Sequence, residues 1–391
     1  MASGIDNQTL NRTLLVRQGL VTRSESSPAD ALSSLVGLQA QESAPPYVAL
    51  WNRISSFTPD QLEDLLVERH AVRAMMMRGT QHIVTSADYL RFQPLFVPIL
   101  EQQQRSFVRR LAGADPLEIR DYAAQLLSDG SLWTRPRLSR ALRERWPDAD
   151  GTMLARTAQH LLAVVHPPPD GLWGANVLTP IMLARDWVGT PTAVEGAKEQ
   201  LVLRYLHAFG PATPADIRAW SGIAGVREVL RALGPSLTHR RDHHGRDLVD
   251  VQDGVIADPD IVIRPLLMAR FDNALQGYAD RSRIVSADYR KLASSESMVL
   301  IDGMVAGRWT YARPSGRKRP SRLSIELFTA CPTSQMELLE AEARALLAFL
   351  APEEDSRLEI SNSKSERRHS RRKSGEDLAQ FRCARSEPRQ K

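Results

Sequence analysis

Apolar positions in the first hundred residues recur at helical spacing. Leu10, Leu14 and Leu15 share one face of residues 7–19, with Asn7 placed to cap that helix and Gly19 to stop it. Ser27-Pro28 opens a second helix whose apolar face is Ala31, Leu32, Leu35 and Leu38. Pro45-Pro46 forbids its continuation. Thr58-Pro59 opens a third, with Leu62, Leu65 and Leu66 toward a core. From Val72 to Thr85 the composition shifts to Met, Ile, Val and Thr, which suits extended strands. Residues 88–111 return to helix, broken by Pro94 and Pro98.

Three helices followed by two strands is the winged-helix plan, and the order recurs. Residues 116–127, 136–146 and 151–164 read as helices, and 166–171, with Pro167-Pro168-Pro169, as a turn between short extended pieces. Residues 198–209, 214–220 and 226–233 are helical again, before a hairpin of 237–240 and 248–251. No close sequence repeat links these segments, so the repetition is one of architecture. After Asp258 the pattern becomes β-rich, with strands expected at 261–263, 298–301, 307–311 and 323–328, then a helix at 335–350 closed by Pro352. The resulting α+β reading has three winged helices at 1–112, 113–192 and 193–258. A β-rich subdomain follows at 259–355, and a disordered basic tail at 356–391.

Charge changes the picture in one respect. The chain of 391 residues carries a net +5. Residues 361–391 hold 10 Lys and Arg against 4 Asp and Glu, so the remainder has 41 basic and 42 acidic residues. The basic character therefore belongs to the tail, and DNA binding by the body requires charge gathered on one face. The two cysteines, Cys331 and Cys383, form no disulfide framework. The opening Met1-Ala2-Ser3-Gly4-Ile5-Asp6 lacks the features of a signal peptide, and no apolar run approaches the roughly 18 residues of a membrane helix. A cytoplasmic protein with no membrane association is expected.

Several short phrases occur in a telling order. They are Leu10-Asn11-Arg12, Arg17-Gln18-Gly19-Leu20, Gly37-Leu38-Gln39-Ala40-Gln41, Arg78-Gly79-Thr80-Gln81-His82, Phe209-Gly210-Pro211-Ala212-Thr213, Phe271-Asp272-Asn273 and Asp302-Gly303. Together they resemble the AlkZ/YcaQ-like family of winged-helix DNA glycosylases, in the AlkZ-like branch with a Gln-x-Gln motif. The resemblance implies tandem winged helices in a C-shape around duplex DNA. It also implies a monofunctional glycosylase that releases N7-alkylated purines and unhooks interstrand crosslinks, in alkylation repair or antibiotic self-resistance. Gln39 and Gln41 are then the catalytic pair. Arg12, Arg78 and His82, inside these phrases, are expected to meet DNA. His82 could equally cap local backbone, and Asp272 and Asn273 could orient site residues or serve a turn.

A purine alkylated at N7 is already a charged leaving group. The protein needs chiefly to hold a water at the anomeric carbon and to stabilise oxocarbenium-like charge. Two amides, each with donors and an acceptor oxygen, can do so without an ionised group. Residues i and i+2 share a side only on an extended segment, so the pair requires that 39–41 lie past the helix end. A second candidate feature is the stretch 308–322, with Arg313, Arg317, Lys318 and Arg319, which reads as a β-hairpin whose basic tip meets phosphates. No phosphate-binding glycine loop, zinc spacing or Ser/His/Asp arrangement is present, so no cofactor and no metal are expected. The expected partner is damaged duplex DNA, met by a monomer. The competing reading is a non-catalytic winged-helix regulator, which has no use for a water-holding pair.

Overall fold

The computed structural model describes residues 4–313, 320–352 and 355–362. It is a mixed α+β structure, 46% helical and 19% strand, in agreement with the class expected. The chain divides into two compact units, one reaching to Val262 together with Met268–Ser295, the other holding Ile263–Leu267 and the described residues from Glu296 onward.

In the first unit α1 (Asn7–Arg17) precedes α2 (Pro28–Ser34), β1 (Leu38–Gln39), α3 (Ala44–Trp51), α4 (Pro59–Val67), β2 (Ala71–Met75) and β3 (Gln81–Thr85). Proline stands in the first turn of α2, α3 and α4, where its missing N–H has no helical partner to lose. Next come α5 (Ser86–Gln104), α6 (Pro116–Leu127), β4 (Trp133–Thr134), α7 (Arg135–Arg145), α8 (Gly151–Leu161), β5 (Val164–Val165) and β6 (Pro180–Leu183). After α9 (Ala184–Trp187) the chain forms α10 (Ala197–Phe209), α11 (Pro214–Ser221), α12 (Val226–Ala232), β7 (Leu237–Arg241) and β8 (Asp247–Val251).

One order therefore occurs three times: helix, strand, helix, helix, strand, strand. In the third instance the first strand shrinks to a bridge between Ala212 and Val249. In the first two it pairs with the last strand, Leu38 opposite Ile83 and Trp133 opposite Ile181. These two sets merge into one six-stranded sheet, ordered β1-β3-β2-β5-β6-β4. The halves join where Ala74 pairs with Val165, and the His166 N–H donates to the Arg73 carbonyl at 2.8 Å. Leu32, Leu35, Leu62, Leu66, Val72 and Ile83 fill the core of the first set, each at most 2% exposed. Leu38 reaches that core from β1 rather than from α2.

Two expectations are corrected here. Helix α5 runs unbroken through Pro94 and Pro98. Each internal proline costs about 3 kcal/mol, but Phe92, Phe96 and Leu100 are buried along the same helix and offset that cost. Residues 261–263 form no strand: Val262 is 78% exposed and the segment pairs with nothing before Leu266. A short α13 (Asn273–Gln276) completes the first unit.

The second unit is a five-stranded sheet with α14 (Thr333–Leu350) against it. Its strands are β9 (Leu266–Leu267), β10 (Ser297–Ile301), β11 (Met304–Ala312), β12 (Ser321–Leu327) and β13 (Ser356–Asn362), in the order β13-β12-β11-β10-β9. Leu339, Ala343 and Leu346 of α14 are fully buried, as is Leu323 of β12. Residues 356–362, assigned by composition to the tail, instead form an edge strand parallel to β12. A parallel neighbour needs a crossover connection, and α14 supplies it. The rest of the tail, from 363, lies outside the described residues. No described helix is long and apolar enough to cross a membrane.

Candidate active site

The segment bearing Gln39 and Gln41 is extended because α2 is stopped abruptly. Val36 and Gly37 both have positive φ, 58° and 92°, which turns the chain from the helix end onto β3. A Cβ at Gly37 would lie 2.4 Å from Val84 Cγ1 and 2.8 Å from the Ile83 carbonyl oxygen, so only glycine permits this crossing. Gln39 then pairs with His82, and the Ala40 N–H donates to the Gln81 carbonyl at 2.7 Å. Burial alternates along the strand: Leu38 buried, Gln39 half-buried, Ala40 buried, Gln41 exposed. Gln39 and Gln41 are thus the two less buried positions of the segment, Gln41 standing in the bend two residues beyond the end of β1 at Gln39.

Side chains pin the backbone of this segment from two directions. Asn273 Nδ2 donates to the carbonyls of Gly37, at 2.8 Å, and Leu35, at 3.2 Å. Its neighbour Asp272 caps α13 and forms a two-pronged ion pair with Arg53 at 2.8 and 2.9 Å. Arg73, on β2, donates through Nε to the Ala40 carbonyl at 2.9 Å and through Nη2 toward the Gln41 carbonyl at 3.5 Å. Its Nη1 is paired with Asp170, in the loop between β5 and β6. Burial outweighs pairing on both partners of that ion pair: it pushes the Asp170 carboxyl up and the Arg73 guanidinium down. Tyr47 anchors the same loop by donating its hydroxyl to the Gly171 carbonyl at 2.8 Å.

Arg78 acts on the glutamine side chain itself. Its Nη2 donates to Gln39 Oε1 at 2.8 Å, and its Nη1 donates to the Trp220 carbonyl. A guanidinium has only donors, so the Gln39 atom facing it must be the oxygen. The amide is thereby locked with Nε2 outward. Arg78 holds a left-handed backbone, φ 58°, and its carbonyl accepts from Gln103 Nε2 at 2.9 Å. Burial lowers its pKa to about 10, which leaves it charged at neutral pH. The Gln41 amide makes no hydrogen bond among the described residues. The pair therefore presents a fixed donor at Gln39 and a free amide at Gln41.

The other candidate residues divide. Arg12 is 4% exposed and donates to Asn11 Oδ1 at 2.8 Å, so burial withdraws it from any phosphate. His82 is 1% exposed, its Nδ1–H bonds the Thr80 carbonyl at 2.9 Å, and burial lowers its pKa to about 3. It is a neutral framework residue beside Gln39, not a cation for DNA. Arg313 is exposed at the end of β11. Arg317, Lys318 and Arg319 lie outside the described residues. At the base of that hairpin Arg308 is engaged by Glu296 and Glu326, at 2.8 and 2.7 Å. No described cluster of His, Cys, Asp and Glu has the form of a metal site.

Arg73, Asp170 and Gln103 escaped the sequence reading. A lone arginine inside an apolar strand was the available signal for the first; the others act through contacts distant in sequence. The basic face of α7 was also passed over. Arg135, Arg140 and Arg143 line a cavity of about 720 Å³ together with Thr152, Leu178 and Thr179.

A family model described as DNA glycosylase AlkZ-like matches residues 32–349. Among solved structures, the DNA glycosylase AlkZ of Streptomyces sahachiroi superposes with a TM-score of 0.70 at 21% identity, over 91% of this chain and 98% of that one. No curated protein sequence matches.

Proposed function

We propose, from the premise that this chain belongs to the AlkZ-like DNA glycosylase family, that it hydrolyses the N-glycosidic bond of purines alkylated at N7, including those in interstrand crosslinks. The observation that carries this reading is the Gln39 amide, held by Arg78, with the exposed Gln41 amide two residues further along. The Gln39 Nε2 donates to the water oxygen and aims it at the anomeric carbon. The Gln41 oxygen accepts a hydrogen bond from that water and so orients its lone pair. The bond from sugar to base breaks with its electron pair passing to the base, which neutralises the N7 cation. The water oxygen forms the new bond and releases its proton to solvent. No general acid is needed for this leaving group.

The three repeated sets serve, in this reading, as winged helices that bind duplex DNA, with Arg135, Arg140 and Arg143 meeting phosphates. Self-resistance or alkylation repair, carried out by a monomer, is the corresponding role. The amide pair is no amine nucleophile, so the enzyme is monofunctional.

The test is incubation with duplexes carrying N7-methylguanine, a bulky N7 monoadduct, an N7 crosslink or neutral ethenoadenine. Abasic sites are expected from the first three and not from the fourth, whose base is a poor leaving group. Borohydride is expected to trap no covalent complex. Strong ethenoadenine cleavage with rejection of the bulky adducts would mean a closed, base-flipping pocket and refute the proposal. The regulator reading predicts binding without any base release.

The rate should also be insensitive to pH. His82 gains its proton only near pH 3 and Arg78 loses one only near pH 10. Single-turnover base release is therefore expected to be flat from roughly pH 5 to pH 9. A bell-shaped profile inside that window would mean that an ionisable side chain takes part.

A further inference from the structure

The outward face of α8 carries Arg156 and His160, one helical turn apart. They border a cavity of about 620 Å³ whose other walls are Ile99, Gln102, Gln103, Ser106 and Phe107, from α5 and the 3₁₀ turn after it. The volume lies within the roughly 300–1,000 Å³ of small-molecule sites. Phe107 and His160 meet edge to face with ring centroids 5.1 Å apart, giving the cavity an aromatic corner. The His160 Nδ1–H is bonded to the Arg156 carbonyl at 2.8 Å, and burial keeps its ring neutral at pH 7. Arg156 brings a guanidinium, which stacks on aromatic faces and repels cations.

Gln103 joins this cavity to the glutamine pair. Its Nε2 donates to the Arg78 carbonyl, while the other end of Arg78 holds Gln39 Oε1. The cavity thus lies one arginine away from Gln39. In the second repeated set α8 is the third helix, the one that a winged helix directs at the major groove, and purine N7 opens into that groove.

We propose that this cavity receives a neutral aromatic substituent carried on purine N7, so that a bulky adduct is gripped by the protein while its base stays near the stack. The proposal rests on the glycosylase reading for its purpose, but not for its measurement. Duplexes with 7-deazaguanine bearing a methyl or a benzyl group at C7 place the same substituents in the groove and cannot be cleaved as N7 cations are. Binding is followed by fluorescence anisotropy at one salt concentration. The benzyl duplex is expected to bind about tenfold more tightly than the methyl duplex. Gln102→Trp, at an exposed position, should fill the cavity and abolish that preference without altering affinity for the methyl duplex. Phe107→Ala should weaken the preference too, although Phe107 also packs on the core beneath it. Equal affinity of the wild type for both duplexes overturns the proposal, as does a benzyl preference that survives Gln102→Trp. A preference abolished by Gln102→Trp in a protein that releases no N7-methylguanine supports the cavity and refutes the catalytic reading. Base release without the preference does the reverse.

Discussion

Replacing Gln39 and Gln41 together with alanine is expected to reduce N7-methylguanine release by about a thousandfold while changing duplex affinity by no more than about twofold. The asymmetry follows from where the two residues stand. Neither carries charge, so removing them takes nothing from the phosphate-dependent part of binding. Both act on one water, so their effects should not add: each single variant is expected to lose nearly as much as the pair. The Arg78 contact sharpens this. With its oxygen held at 2.8 Å by Arg78, Gln39 is oriented to offer its N–H groups, and Gln41 supplies the acceptor in this reading. Single-turnover rates on N7-methylguanine duplex, with anisotropy on the same DNA, measure both quantities. Near-wild-type release by the double variant would remove the pair from the mechanism. Equal losses of affinity and rate would make the glutamines binding residues instead.

Much of this site was legible because local rules govern it. Proline at first turns set the helix starts, and the downstream Pro45-Pro46 was consistent with glutamines beyond the helix end, whereas the stop at Gly37 was missed, since apolar spacing puts Leu38 on the helix. The period of two across Leu38, Gln39, Ala40 and Gln41 could be anticipated only as a condition, since β1 is two residues long and too short to show a pattern. What stayed hidden depends on tertiary contacts. Arg12 and His82 stand in phrases that look like surface recognition motifs, yet both are interior, because burial is decided by how sheets pack. The bond from Arg78 to Gln39 spans 39 positions of sequence and could not be read from it. The strand at Ser356–Asn362 was obscured by its Ser, Arg and Glu, which face solvent on an edge; the alternation of Leu358 and Ile360 was its one signal.

Removal of Arg73 should show that the backbone of the glutamine segment must be held, as distinct from merely folded. Arg73→Met leaves the Asp170 carboxyl, with 8% side-chain exposure, buried without its partner. Such a loss costs about 3–5 kcal/mol, or a thermal midpoint lower by roughly 10 °C. An unpaired Asp170 has a folded-state pKa above its unfolded one, so the stability it contributes is lost as pH rises. The deficit of the variant relative to wild type should therefore shrink on acidification toward pH 5. Adding Asp170→Leu removes the stranded carboxyl, and replacing a buried ion pair with apolar groups is often neutral or better. The double variant should recover most of the stability. It should not recover the rate, because the Ala40 and Gln41 carbonyls still lack the donors that fix them at 2.9 and 3.5 Å. A misplacement of about 1 Å costs on the order of a hundredfold. Melting curves and single-turnover rates on Arg73→Met and Arg73→Met/Asp170→Leu separate the two effects. A stable double variant with wild-type turnover would reduce Arg73 to a structural residue. A stable but slow one assigns it the positioning of the glutamine segment, a role exerted through the Ala40 and Gln41 carbonyls.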